Sequence, residues 1–286
     1  MALVVNNNIM ASSAARNLNT AYSALGTSTE RLSSGLRVNS SADDAAGLAV
    51  RELMRSDIST INQGVRNAND GISMIQTADG ALSVIDEKLI RMKELAEQAA
   101  TGTYTDAQRL IIDSEYQAMA SEITRIANAT DFNGIYLLNG NLSETGITVH
   151  FGTGNDASAD KYDVTISNCT ASALGLGLAA GASKSGGVVS TQASAQAALE
   201  SLDAAIVSKD NVRANLGAMQ NRLTATISNL EIQAENLQAS ESRISDVDVA
   251  TEMTEYTKQQ IITQSAVSML AQANSLPQMA LSLIGG

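Results

Sequence analysis

Residues 30–50 read ERLSSGLRVNSSADDAAGLAV, and they are the joint between two long amphipathic helices. Before the joint, apolar or small residues recur in alternating steps of four and three, at Ala11, Ala15, Leu18, Tyr22, Leu25, Thr29, Leu32 and Leu36. Such a heptad stripe holds one face of a helix against a partner. It predicts a first helix over 11–36, about 39 Å long at the usual rise. Gly35, the Asn39-Ser40-Ser41 cluster and the Asp43-Asp44 pair then interrupt the pattern. Asn and Ser side chains compete with the helical ladder, and Asp favours a first turn. A second, longer stripe starts at once.

That stripe runs through Met54, Ile58, Ile61, Val65, Ala68, Ile72 and Ile75, and on through Ala78, Leu82, Ile85, Leu89, Met92, Ala96 and Ala99. It predicts a helix over 43–100, with one slip where two steps of three adjoin at Ile75–Ala78. Gly64, Gly71 and Gly80 argue against an unbroken helix, each costing about 1 kcal/mol against Ala. Thr105 to Gln108 has the pattern of a capping box. It opens a third helix with the stripe Ile112, Tyr116, Met119, Ile123 and Ile126, which ends in the turn-forming NATDFNG. Alternation at 147–151 and 162–166, around the loop GTGNDASAD, predicts a β-hairpin. The Gly-, Ala- and Ser-rich stretch that follows lacks a period and reads as a surface connector over 169–191.

Helical periodicity returns at Ala195, Leu199, Leu202 and Ile206, weakens at Lys209 and Arg213, and resumes from Leu216 to Leu237. A polar joint, ASESRISDVD, precedes a last stripe at Ile262, Ala266, Met269, Ala273, Leu276, Ala280 and Leu283. Pro277 is expected to loosen its final turns. The fold class read from this plan is mainly α: an elongated coiled-coil and helical-bundle rod with a small β-hairpin region. Residues 1–42 plus 243–286 form a terminal coiled-coil domain. Residues 43–242 form a helical bundle carrying the hairpin at about 141–168. The two terminal stripes are expected to partner each other. They bury little per helix, and further copies of the chain are expected to cover what remains.

Composition agrees with a narrow core. The 286 residues include no Trp, two Phe and one Pro, too few large side chains for a wide globule. The formal charge is −12 with no run of Lys or Arg, which argues against nucleic acid as partner. No signal peptide is read at the start, and no run of apolar residues is long enough for membrane insertion. His150 is the only histidine and Cys169 the only cysteine. Neither fits a paired-His metal motif or an oriented Cys–His pair. No catalytic constellation and no cofactor site is read, so an enzyme is not expected.

LGTSTERLSSGLRVNSSADDAAG (25–47), RNANDGISMIQTADGAL (66–82) and DFNG (131–134) resemble the N-terminal signature of bacterial flagellin. RANLGAMQNRL (213–223) and QANSLPQMALSLI (272–284) are similar to its C-terminal signature. The resemblance implies an extracellular subunit that polymerises into the flagellar filament for motility, exported unfolded through the flagellar type III apparatus. It implies a terminal coiled coil as the filament's inner core, and an outer-core bundle without the variable outer domain of larger members. The assembly residues it points to are Leu18, Tyr22, Leu25, Leu32, Leu36, Ile262, Met269, Leu276 and Leu283. The partners it implies are other copies of the chain, an export chaperone on the C-terminal helix, and filament cap and junction proteins. A host Toll-like receptor is implied through Arg91 and Leu95, in RMKEL, and Glu115. Two other readings stand beside it: a hook–filament junction protein, and a coiled-coil signalling module.

Overall fold

The computed structural model describes residues 8–176 and 188–284. Five helices carry the fold: α1 (Ile9–Ser34), α2 (Ala45–Ala100), α3 (Asp106–Ala129), α4 (Gln192–Ser245) and α5 (Val249–Ile284). Two antiparallel hairpins lie between α3 and α4. The first pairs β1 (Asp131–Phe132) with β2 (Ile135–Tyr136), and the second pairs β3 (Ile147–His150) with β4 (Lys161–Val164). The chain divides into two compact units, 1–58 with 235–286 and 59–234. The joints expected at 42/43 and 242/243 sit inside the first unit, because its boundary falls within α2 and α4 rather than at their ends.

In the unit of residues 59–234, the long stripe of α2 is the core. Ile61, Ala68, Ile75, Ala78, Leu82, Ile85, Leu89, Met92, Ala96 and Ala99 are all buried, straight across the Ile75–Ala78 slip. The glycines do not break the helix. Two of them admit the second hairpin, since a Cβ on Gly64 would stand 2.0 Å from the Phe151 carbonyl oxygen and one on Gly71 3.1 Å from Val149. Asn67 Nδ2 donates to the His150 carbonyl (2.9 Å) beside that contact. On the hairpin, Phe151 and Tyr162 pack at 4.9 Å, and the Arg222 guanidinium covers the Tyr162 ring at 4.3 Å.

Helix α4 does not lose its pattern at Lys209 and Arg213. Lys209 occupies a position on the buried face, only 2% exposed. Its ammonium pairs with Asp86 on α2 and with Asp210 (2.7 Å). Burial works against its charge, but the hydrogen bonds to Asp210 and Asp86 outweigh it and hold the pKa above the usual lysine range. Arg213 Nε donates to Asp79 (2.7 Å), and Lys93 pairs with Asp203. Asp79, Asp86 and Lys93 are spaced by sevens on α2, so these ion pairs set its antiparallel register against α4.

Helix α3 closes the end of α2 with a buried arginine. Arg109 donates to the Ala99 and Thr101 carbonyls (both 2.9 Å), at and just past the end of α2, where helical carbonyls run out of intrahelical partners. Asp113, also buried, accepts the Val189 N–H at 2.8 Å. The expected surface connector over 169–191 is therefore corrected at both described ends. Cys169, Ala171, Leu174, Leu176 and Val189 are buried, because small and apolar side chains there fill the bundle's flank. Burial pushes the Cys169 thiol up to about 11, so it is protonated and unreactive at neutral pH. The DFNG turn is itself a two-residue hairpin, with Asn133 (φ 53°) and Gly134 (φ 80°) at its tip.

Gly64→Ala, which forces the hairpin backbone away, should cost about 1–3 kcal/mol in urea unfolding. Gly80→Ala, with open space around its Cβ, should stabilise by about 0.5–1 kcal/mol. Tyr116 is buried with its hydroxyl unpartnered, and burial, helped by Asp113, pushes its pKa up to about 12. Above pH 10 the unfolded chain ionises this phenol first, so stability present below pH 10 is lost between 10 and 12. Tyr116→Phe should remove that part of the alkaline loss and stabilise at pH 7 by about 1 kcal/mol.

Candidate interaction surface

In the unit of residues 1–58 and 235–286, α1 and α5 run antiparallel. Asn8 caps α1, accepting the Ala11 N–H, and donates across to the Ala273 carbonyl (2.8 Å). At the other end, Arg31 lies 3.8 Å from Glu252. The joints at the two helix ends are zipped together. Gly35 ends α1 in the left-handed region (φ 73°), and its carbonyl accepts the Val247 N–H at 3.0 Å. The Arg37 N–H donates to the Ser245 carbonyl (2.6 Å), which makes a short antiparallel bridge of Leu36 with Asp246. Asp43 accepts the Ser40 N–H, and Arg51 Nη1, buried, donates to the Val38 carbonyl (2.7 Å). Asp44 accepts the Gly47 N–H as α2 begins, and Asp248 accepts the Ala250 N–H as α5 begins.

The faces that meet differ from the expected stripes. On α1 the inward residues are Ala14, Leu18, Ala21, Leu25, Ser28 and Leu32, with only Ala21 and Ser28 fully buried. On α5 they are Tyr256, Gln259, Thr263, Ala266, Leu270 and Ala273. Both are four-three patterns that share alternate positions with those expected. Leu18, Leu25 and Leu32 are half-buried at this seam, and Leu36 is half-buried at the zipped joint. Tyr22 (53% exposed), Ile262 (41%) and Met269 (60%) face away from it. At Ala21 and Thr263 the seam takes the smaller of two neighbours, beside Tyr22 and Ile262, because small side chains let the helices approach. Leu276 and Leu283 fall outside the residues whose side chains are described.

The seam is poor in energy. Among the described residues, four buried side-chain polar atoms lack a partner. Three of them are here: Arg31 Nε, Glu252 Oε1 and Thr263 Oγ1. Each such atom costs about 1–3 kcal/mol. Meanwhile Val249, Met253, Ile261, Ile262, Val267 and Met269 are exposed on α5. They lie around most of the circumference left free by the seam. Exposed apolar side chains on several sides of one helix are the pattern of a helix that other elements cover.

The candidate receptor contacts lie in the other unit. Arg91 on α2 donates to Glu115 on α3 through Nε and Nη2 (3.0 and 2.8 Å) and to Glu94. Bonds to Glu94 and Glu115 raise the pKa of this guanidinium above its ordinary value. Leu95 is not on that exposed surface. It is 2% exposed, within the core stripe of α2, because it sits one position from Ala96 on the inward face. Ile90 on α2 and Leu110 and Ile111 on α3 are also exposed. Among the described residues no group of three or more His, Cys, Asp or Glu side chains could hold a metal ion. No described helix is long and apolar enough to cross a membrane.

Residues 5–143 match the bacterial flagellin N-terminal helical region, and 199–284 match its C-terminal helical region. The chain is 41% identical over 290 residues to flagellin FlaB2 of Treponema pallidum, covering 99% of this chain and 100% of that protein. It is equally similar, at 41% over 290 residues and the same coverage, to the flagellar filament core protein flaB2 of Brachyspira hyodysenteriae. A crystal structure of Bacillus cereus flagellin is 31% identical, with a TM-score of 0.48, over 62% of this chain and 94% of that one.

The position of Leu95 gives a clean contrast. Leu95→Ala should cost about 2–5 kcal/mol in chemical unfolding, whereas Arg91→Ala should leave the unfolding midpoint unchanged.

Proposed function

The chain belongs to the bacterial flagellin family, and we propose that its terminal helices α1 and α5 carry the contacts between copies. It is a structural subunit of the extracellular flagellar filament and assembles with copies of itself. The observation behind the division of labour is the contrast between the two units. Residues 59–234 have a continuous apolar core with a register of ion pairs. The α1–α5 pair has a thin seam, three unpartnered buried polar atoms and exposed apolar residues on several sides. The terminal unit then supplies the filament's inner core and the bundle with its hairpin the outer core.

Folding of α1 and α5 is coupled to assembly. The seam alone stabilises them weakly, as expected for helices that gain most of their stability from packing. Neighbouring subunits cover Tyr22, Ile262, Met269 and the apolar residues around them. Leu18, Leu25, Leu32 and Leu36 hold the pair within a subunit. An easily opened α5 also suits export in the unfolded state, with a chaperone covering its apolar face beforehand. The cap and junction proteins would bind the same ends. The flagellin family is structural, and no catalytic step is assigned to this chain. A host Toll-like receptor would read Arg91 and Glu115 as a pair, with Leu95 acting from beneath. If Arg91→Ala and Glu115→Ala signal like the parent in reporter cells, that contact is wrong.

Two substitutions test the assembly surface. Tyr22→Ser and Ile262→Ser should leave monomer helicity by circular dichroism unchanged, while raising the critical concentration for seeded growth at least about tenfold. Unchanged polymerisation in both variants would remove these faces from the interface.

A further inference from the structure

The methionines are sorted by place. Met74 and Met92 are buried in the bundle, and Met54, Met119 and Met219 are half-buried. Among the described residues, the exposed methionines are Met10, Met253, Met269 and Met279, every one of them on α1 or α5. Met253 is 47% and Met269 60% exposed. Sixteen residues apart on one helix, they stand about 160° apart around its axis, one on each flank of the α1 seam. Met253 shares a shallow groove with Thr257 and Ile261, and Met269 continues the ridge of Ile262.

A thioether is apolar and fits irregular apolar contacts, whereas its sulfoxide is polar and chiral. We propose that Met253 and Met269 are peroxide-modification sites whose oxidation in the unassembled subunit blocks its addition to the filament. A sulfur lone pair attacks one oxygen of hydrogen peroxide. The O–O bond breaks, an S–O bond forms, sulfur gives up two electrons to the peroxide, and water leaves. The polar S–O dipole then stands where a neighbouring subunit would bury a thioether, without a partner to satisfy it. Once covered in the filament, the same sulfurs are out of reach of the oxidant. The inference rests on the proposed cover of α5 by other copies.

The test compares the wild-type chain with the double variant Met253→Leu, Met269→Leu, which keeps the apolar area without sulfur. Each is treated as monomer with hydrogen peroxide, mapped for sulfoxide by peptide mass spectrometry, and offered filament seeds. Treated wild type should show a critical concentration at least about tenfold higher. Treated double variant should elongate like its untreated form, and preformed wild-type filaments should resist oxidation at both positions. The proposal fails if treated wild type carrying both sulfoxides elongates normally, or if the treated variant fails as badly as treated wild type. If neither untreated protein elongates on seeds, the assembly reading falls as well, and this inference falls with it.

Discussion

The constraint beneath this structure is the smallness of the side chains between α1 and α5. Ala21, Ser28, Thr263, Ala266 and Ala273 let the two helices lie close, and they bury little area in doing so. Larger apolar residues such as Tyr22, Ile261 and Met269 are turned outward instead. The pair also leaves Arg31 Nε, Glu252 Oε1 and Thr263 Oγ1 without partners. Such a unit leaves buried polar atoms unpaired and large apolar side chains exposed. Its register comes from the ends, through the Asn8 link to Ala273 and the zipped joint at Gly35–Arg37 and Ser245–Val247. On the proposed reading, a subunit built this way keeps its geometry specified and leaves the exposed apolar residues of α1 and α5 for its neighbours to cover.

The bundle of residues 59–234 solves the opposite problem. Its α2 stripe is buried almost continuously, and its polar seam positions are answered by charge. Lys209 and Arg213 meet Asp86 and Asp79. Breaking a buried pair such as Lys209–Asp86 would strand a charge, so these pairs act more through register than through net stability. Arg109 and Asp113 do comparable work at the bundle's end and flank, one satisfying the last carbonyls of α2 and the other fixing Val189. The hairpin needs the missing side chain at Gly64 to lie down on α2. A bundle that completes its own core can stay folded while the terminal helices exchange partners.

Much of this was legible in the sequence, and where it was not the reasons are physical. The α2 stripe could be read residue by residue because large apolar side chains recur against a polar background. Gly64 and Gly71 looked like breakers because the hairpin that needs them lies about 80 residues away in sequence. Lys209 looked like a fault in the α4 stripe because its partner Asp86 lies on another helix. The spacing of Asp79, Asp86 and Lys93 by sevens was the signal that could have revealed it. On α1 and α5 two four-three patterns overlap, and the more apolar one stands out in the sequence. The structure uses the smaller set, since closeness rather than bulk decides an intramolecular seam. The RMKEL motif marks Leu95 as a receptor contact, but its place beside Ala96 in the buried stripe is what decides its exposure.

The central claim is that α1 and α5 draw their stability from neighbouring copies. Amide hydrogen exchange on monomer and on filament, followed peptide by peptide, tests it most directly. The account predicts fast exchange over 9–34 and 249–284 in the monomer and strong protection in the filament. Exchange over 61–99 and 195–230 should be slow in both. Equal, strong protection of α1 and α5 in monomer and filament would contradict it, because the terminal pair would then be a stable unit in its own right.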